Sequence, residues 1–150
     1  MELRANLDTL NVEWQNEAGL MISEYLADYP KALSYYQRAL RQSLAQYGED
    51  YQITATTYSN IGAIYDAQGD YHQALEYNQK ALNIQKRVVG EEHPDVATSY
   101  NNIGGVYKST GNYALALDNF QKALEIWQNL YGEKHQEVAT CHNDIGATYQ

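Results

Sequence analysis

Cysteine occurs once, at Cys141, so no intramolecular disulfide can form and nothing ties the fold to an oxidising compartment. Basic residues are scarce too: 10 Lys+Arg stand against 19 Asp+Glu, a formal net charge of −9. No Lys/Arg run interrupts that acidic background, which argues against a nucleic-acid partner and against an anionic membrane. Electrostatic steering favours neutral or basic ligands instead. Long apolar runs are also missing, and none approaches the roughly 18–20 residues that span a bilayer. Glu2, Arg4, Asp8, Glu13 and Glu17 break up the first twenty positions, leaving no apolar core for a signal peptide. These absences predict a soluble, cytoplasmic protein. Phenylalanine occurs once and tryptophan twice, whereas tyrosine occurs 15 times. Tyrosine combines packing area with a polar tip, which suits many shallow seams better than one dry core.

What the chain has in quantity is itself. "NIGAIYDAQGDYHQALEYNQKALNIQKRVVGEEHPDVATSYN" runs from Asn60 to Asn101, and "NIGGVYKSTGNYALALDNFQKALEIWQNLYGEKHQEVATCHN" follows from Asn102 to Asn143. The copies align without a gap at an offset of 42, about half of their positions are identical, and a third copy, "DIGATYQ", begins at Asp144. An older copy precedes them, with Tyr29 under Tyr71, Ala32 under Ala74, Ala39 under Ala81 and Gly48 under Gly90. Upstream, Gly19 lies ten residues before Tyr29 where the later copy has nine, from Gly62 to Tyr71, so one residue of slip is expected there. Leu3, Leu7, Leu10 and Trp14 keep helical spacing and read as an atypical end unit.

Each unit resolves into two helices. Val96, Ile103, Val106 and Tyr107 form the stripe of a first helix over about 94–109, with Pro94 in its opening turn. Ala116, Leu117, Ala123, Leu124, Trp127 and Leu130 form that of a second over about 113–131. Gly111-Asn112 and Gly132 punctuate their ends. No stretch alternates with period two. The chain reads as an all-α array: 1–59 a divergent N-terminal helix and first repeat, 60–101 and 102–143 the second and third repeats, and 144–150 the start of a fourth.

Ile103-Gly104, Tyr107, Gly111, Tyr113, Ala116 and Ala123 are similar in order and spacing to the tetratricopeptide repeat (TPR) pattern, and Ile61-Gly62, Tyr65, Gly69, Tyr71, Ala74 and Ala81 repeat it. The family's usual period is about 34 residues. The extra length here falls in "VVGEEHPDVATSYN" and "LYGEKHQEVATCHN", which resembles the kinesin light chain subtype. That resemblance implies antiparallel helix pairs in a right-handed superhelix, with first helices lining a concave groove.

In that frame Asn60, Asn101, Asn102 and Asn143 face the groove. Thr56, Thr98 and Thr140 lie about one turn earlier on the same face, and Ala63, Gly105 and Ala147 about one turn later. Small residues clear a path, and a carboxamide both donates and accepts, so it can pair with any peptide backbone. Related arrays hold peptides through such asparagines. The alternative is that these amides bridge adjacent helices or face water. Chaperone-binding arrays present Lys and Arg at these positions; here stand Ser59, Asn60, Thr98, Asn101 and Asn102, with Lys108 the nearest base, so an acidic C-terminus is a poor fit.

Other constellations carry less. Cys141, His142 and Asp144 adjoin in "TCHND", but neighbours on a helix point about 100° apart, which denies Cys141 and His142 a shared proton. His93 and His135 recur at the period without ligand spacing and read as loop or capping residues, not a metal site. The glutamates read mostly as a solvated convex face, and no phosphate-binding loop is present. No catalytic residue or cofactor is expected. The function expected is a non-enzymatic module binding a peptide segment of a partner protein, with Tyr25 and Trp14 closing one end of the groove. The alternative is a spacer or self-assembling segment of a longer TPR scaffold, associating end to end through Ile145 and Tyr149.

Overall fold

The structure is a computed structural model in which residues 12–150 are described; Leu3, Leu7 and Leu10 lie outside them. Seven α-helices follow one another among the described residues: α1 Val12–Met21, α2 Tyr29–Tyr47, α3 Gln52–Ala67, α4 Tyr71–Val88, α5 Pro94–Ser109, α6 Tyr113–Tyr131 and α7 Gln136–Thr148. No strand occurs among the described residues. The limits read for the two helices of a unit, 94–109 and 113–131, are those of α5 and α6.

Local chemistry explains why the helices start and stop at the same point of each period. Asp28, Asp70 and Asn112 stand 42 residues apart, and each side chain accepts a backbone N–H three residues on, from Lys31, Gln73 and Leu115. Such a cap satisfies one of the donors that a helix start leaves unpaired. The preceding turns close on Gly69 and Gly111, with φ of 78° and 80°. Beyond them the Asp70 N–H donates to Tyr65 O at 2.8 Å and the Asn112 N–H to Tyr107 O at 2.9 Å, which completes a left-handed helix stop.

The first unit departs from this pattern where a slip was expected. Ile22–Leu26 form a π-helical segment directly after α1. A π turn absorbs one extra residue without breaking the helix, so ten residues fit where later repeats use nine. Ala27 then occupies the glycine's place in the turn with φ 50°.

Contacts divide the chain into two compact units, one ending at Ile84 and the other running Gln85–Gln150, with the division inside α4. In the first, Ala32, Tyr36, Ile61 and Ile64 form one core cluster and Ala55, Tyr58, Ala81 and Ile84 another. In the second, Val96, Ile103 and Val106 of α5 are buried, as are Ala116, Phe120, Ala123 and Trp127 of α6 and Val138 of α7. Ala32, Ala39, Ala74, Ala81, Ala116 and Ala123 are all fully buried, as helices in close approach require. Leu130, read as part of the packing stripe, is 40 % exposed.

Gly62 resolves as a contact residue. A Cβ there would lie 2.9 Å from the Asn78 side chain; at Gly104 it would meet Phe120 at 2.7 Å, and at Gly19 Tyr36 at 2.6 Å. Tyr36, Asn78 and Phe120 are themselves 42 residues apart, so one knob-over-glycine contact recurs in three repeats. Gly146 faces open space.

Candidate functional site

These glycines fix the register of the first helices. Because Gly19 answers to Gly62 and Gly104, Asn16 answers to Ser59, Asn101 and Asn143, and Glu17 answers to Asn60, Asn102 and Asp144. Within the first unit α1 packs against α3, and within the second α5 packs against α7.

At the α1–α3 seam Asn60 Nδ2 donates to Asn16 Oδ1 at 3.3 Å, and Asn16 Nδ2 donates to Thr57 Oγ1 at 2.8 Å. The Thr57 hydroxyl in turn donates to Ile53 O at 2.8 Å. A relay of amides and a hydroxyl thus joins consecutive first helices. It uses one N–H of Asn60, which is half-buried at the edge of the seam. A pocket opens on each side of this bridge. One, of about 210 Å³, is mostly apolar, with Leu20, Tyr36 and Ile64 in its wall and Asn60, Ala63 and Glu24 at its edge. The other, of about 460 Å³ and more open, is lined by Glu13, Asn16, Glu17, Tyr51, Ile53 and Thr56. The glutamates are therefore not simply an outer face, because three of them border the seam. Glu17 arrives there because it holds the Asn60 position of the first repeat.

The remaining candidate residues divide by exposure. Thr56, Thr98 and Thr140 are exposed, and each hydroxyl donates to the carbonyl four residues back, at 3.1, 3.0 and 3.0 Å. With the donor used inside the helix, each presents a methyl group and an acceptor outward. Ser59, Asn101, Asn102, Gly105 and Lys108 are half-buried, and Asn143 is exposed. Trp14 packs edge-on against Tyr35, with ring centroids 6.0 Å apart, and Tyr25 is exposed; neither lines the two pockets. Sequence reasoning missed Glu13, Asn16, Glu17 and Leu20, although the Gly19–Tyr29 spacing held the signal that shifts α1 into register.

Two lysines of the second helices are each held by a carboxylate one turn away on the same helix. Lys80 Nζ lies 3.2 Å from Glu76 and 5.8 Å from the centre of the Tyr58 ring. Lys122 repeats this 42 residues on, 3.0 Å from Asp118 and 5.6 Å from the Tyr100 ring. Hydrogen bonding to Glu76 and Asp118 holds both ammonium groups above the usual lysine range.

The thiol is not poised for chemistry. Cys141 is fully buried, and its Sγ–H donates to Phe120 O at 3.0 Å. Burial, with the Asp144 carboxylate adding to it, pushes its pKa up to about 11, the opposite of what a nucleophile needs. His142 points away, with Nε2 at 4.0 Å from Glu133. His93 and His135 are helix caps: each Nδ1 accepts a backbone N–H two residues on, from Asp95 at 3.1 Å and Glu137 at 3.2 Å. No metal-binding group of three or more His, Cys, Asp or Glu is assembled among the described residues. None of the described helices is long and apolar enough to cross a membrane.

Helix pairs at a fixed period, with small and amide side chains on the first helices, define a helical-repeat protein. The chain belongs to the tetratricopeptide repeat family, whose model matches residues 13–87, 67–126 and 95–150. Proteins of this family are generally non-enzymatic and typically bind protein partners. No curated protein matches the chain. Among solved structures, BtubC (BKLC) from P. vanneervenii is 26 % identical and superposes with a TM-score of 0.85 over 95 % of this chain and 56 % of its own. A Podosopora anserina protein of nearly identical, kinesin light chain-type TPR-like repeats gives 0.83 at 14 % identity, over 92 % and 65 %. The apo form of RapI gives 0.79 at 22 % identity, over 97 % and 52 %. The chain spans between about half and two thirds of the length of these structures.

Proposed function

We propose that this chain binds an extended peptide segment of a partner protein along its first helices, with the α1–α3 seam as one docking stretch. The observation that carries the reading is the Asn16–Asn60 bridge with a pocket on either side. A peptide laid across the bridge meets amide donors and acceptors for its backbone and finds a space for a side chain on each side. Within the first unit Asn60 holds its backbone, with Thr56, Ser59 and Ala63 along the path; within the second, Asn101, Asn102 and Asn143 offer a like stretch, with Thr98, Thr140, Gly105 and Lys108 beside them. Glu13, Glu17 and Glu24 beside the seam, within a chain of net charge −9, favour a neutral or basic segment.

The test is selection of a random-peptide library on the full chain, followed by binding of the enriched peptides to two variants. Thr56→Arg and Ala63→Arg place bulk at exposed positions of the two pockets. The expected result is loss of binding with unchanged circular dichroism melting. Enriched peptides that bind both variants as well as the parent, or a library that yields none, would overturn the reading.

A further inference from the structure

The two pockets beside the Asn16–Asn60 bridge differ in kind. The smaller, of about 210 Å³, is walled by Tyr36 and Ile64, both buried, and by Leu20. It falls short of the roughly 300–1,000 Å³ of a small-molecule site, so it has room for one side chain. A polar group seated against such a wall would give up its water for nothing, which leaves an apolar side chain as the occupant. The larger pocket, of about 460 Å³, sets carbon beside carboxylate. Ile53 and Tyr51, whose ring stacks on Tyr47 at 4.4 Å, line it together with Glu13 and Glu17. Those glutamates stand one turn apart on α1, where like charges oppose each other until a cation joins them. A lysine or arginine matches both parts, with its methylene stem along Tyr51 and Ile53 and its charge toward the carboxylates.

The separation of the pockets sets the spacing of the two side chains. Thr56 lines the acidic pocket and Ala63 the apolar one, seven residues apart on α3; Glu17 and Glu24 mark the same interval across the seam. Seven helical residues rise about 10.5 Å. An extended peptide in the polyproline II form presents every third side chain on one face, about 9.3 Å apart. A flat β-strand offers about 6.8 Å or about 13.6 Å on one face and misses one pocket or the other. We propose that the α1–α3 seam selects a partner segment carrying an apolar and a basic side chain three residues apart, the apolar one against Leu20, Tyr36 and Ile64 and the basic one against Glu13 and Glu17. This rests on the peptide-binding reading and deepens it into a rule of recognition.

The experiment titrates the ¹⁵N-labelled full chain with nine-residue peptides of alanine and proline that carry one leucine and one lysine, two, three or four residues apart and in both orders. One order of the three-residue spacing should bind about tenfold more tightly than the other spacings, the gain from seating the second side chain. Serine in place of its leucine, or glutamine in place of its lysine, should forfeit that gain. Two variants at exposed positions separate the pockets. Ala63→Leu fills the apolar pocket and should make the leucine and serine peptides bind alike. Glu13→Gln combined with Glu17→Gln should do the same for the lysine and glutamine peptides. Equal affinity at all spacings, tightest binding at two or four, or variants that change neither comparison would each overturn the proposal. A random library that yields seam-binding peptides without such a pair would overturn this proposal alone, whereas a library with no seam-binding peptide would overturn the broader reading and this one with it.

Discussion

Ala27 shows how much one residue can carry. It sits with φ 50° where Gly69 and Gly111 hold the same turn, and an L-residue in that conformation costs roughly 1–2 kcal/mol. Ala27→Gly should therefore stabilise the chain by about 1 kcal/mol, after allowing for the greater freedom of glycine in the unfolded state. A rise in the urea midpoint at constant slope is the expected result; an unchanged midpoint counts against strain. Gly62 makes the converse argument, because the Asn78 side chain occupies the space a Cβ would need. Gly62→Leu should cost on the order of 3 kcal/mol, while Ala63→Leu, at an exposed neighbour, should stay within about 0.5 kcal/mol. Equal losses would remove the packing role. Cys141 links a residue to pH. Its folded pKa of about 11 lies above that of a free thiol, so the unfolded chain releases this proton first as pH rises. The stability it contributes is full below about pH 8.5 and is lost as pH climbs toward 11, on the order of 3 kcal/mol in all. Cys141→Ser, which restores the residue found at Ser99, should flatten that decline relative to the parent chain, and parallel pH curves would contradict it.

The π segment is an element with a definite mechanical task. It takes up one residue between Gly19 and Tyr29 so that Gly19 still meets Tyr36 while Tyr29 begins α2 on time. Deleting Tyr25, an exposed member of the segment, should convert it to an ordinary α turn and leave a cooperative fold of undiminished stability. Deleting Glu125 within α6 should be ruinous, because one residue rotates everything beyond it by about 100° and exposes the buried stripe. Thermal melts of the two deletions compare them directly, and equal damage would deny the segment its role as a register adjuster. The same segment explains what the sequence could and could not reveal. The 42-residue identity between copies fixed the ends of α5 and α6, the turn glycines and the alanine contacts, because both copies kept the same chemistry at the same points. It showed that a residue had been added upstream, but not how the backbone would absorb it. Until that was settled, α1 was one position out of register. Asn16 and Glu17 then had no visible relation to Asn60, and the partner of the Asn60 amide stayed hidden. Spacing also marks the histidines as loop or cap residues without naming the bond, which needs the Nδ1 geometry at His93 and His135.

Charge acts on the molecule as a whole, and it pulls stability and binding in opposite directions. A net charge of −9 over 150 residues means that folding brings like charges together. Ion pairs such as Lys80–Glu76 and Lys122–Asp118 join residues within single helices, where each offsets little of the total. Raising ionic strength shortens the screening length from about 30 Å at ~10 mM to about 8 Å at ~150 mM, so repulsion between distant carboxylates fades. The folded chain should therefore melt several degrees higher at the upper concentration. A basic peptide bound as proposed beside Glu13 and Glu17 would rely on the same field with the sign reversed, and the screening that steadies the fold should weaken its capture. Association rates should fall more than dissociation rates rise, because steering acts on the encounter. Melting temperature and peptide association rate measured across one salt series test both effects together. If the two quantities rise together, or if affinity ignores salt while stability responds, the acidic field is a burden on the fold and has no part in choosing the partner.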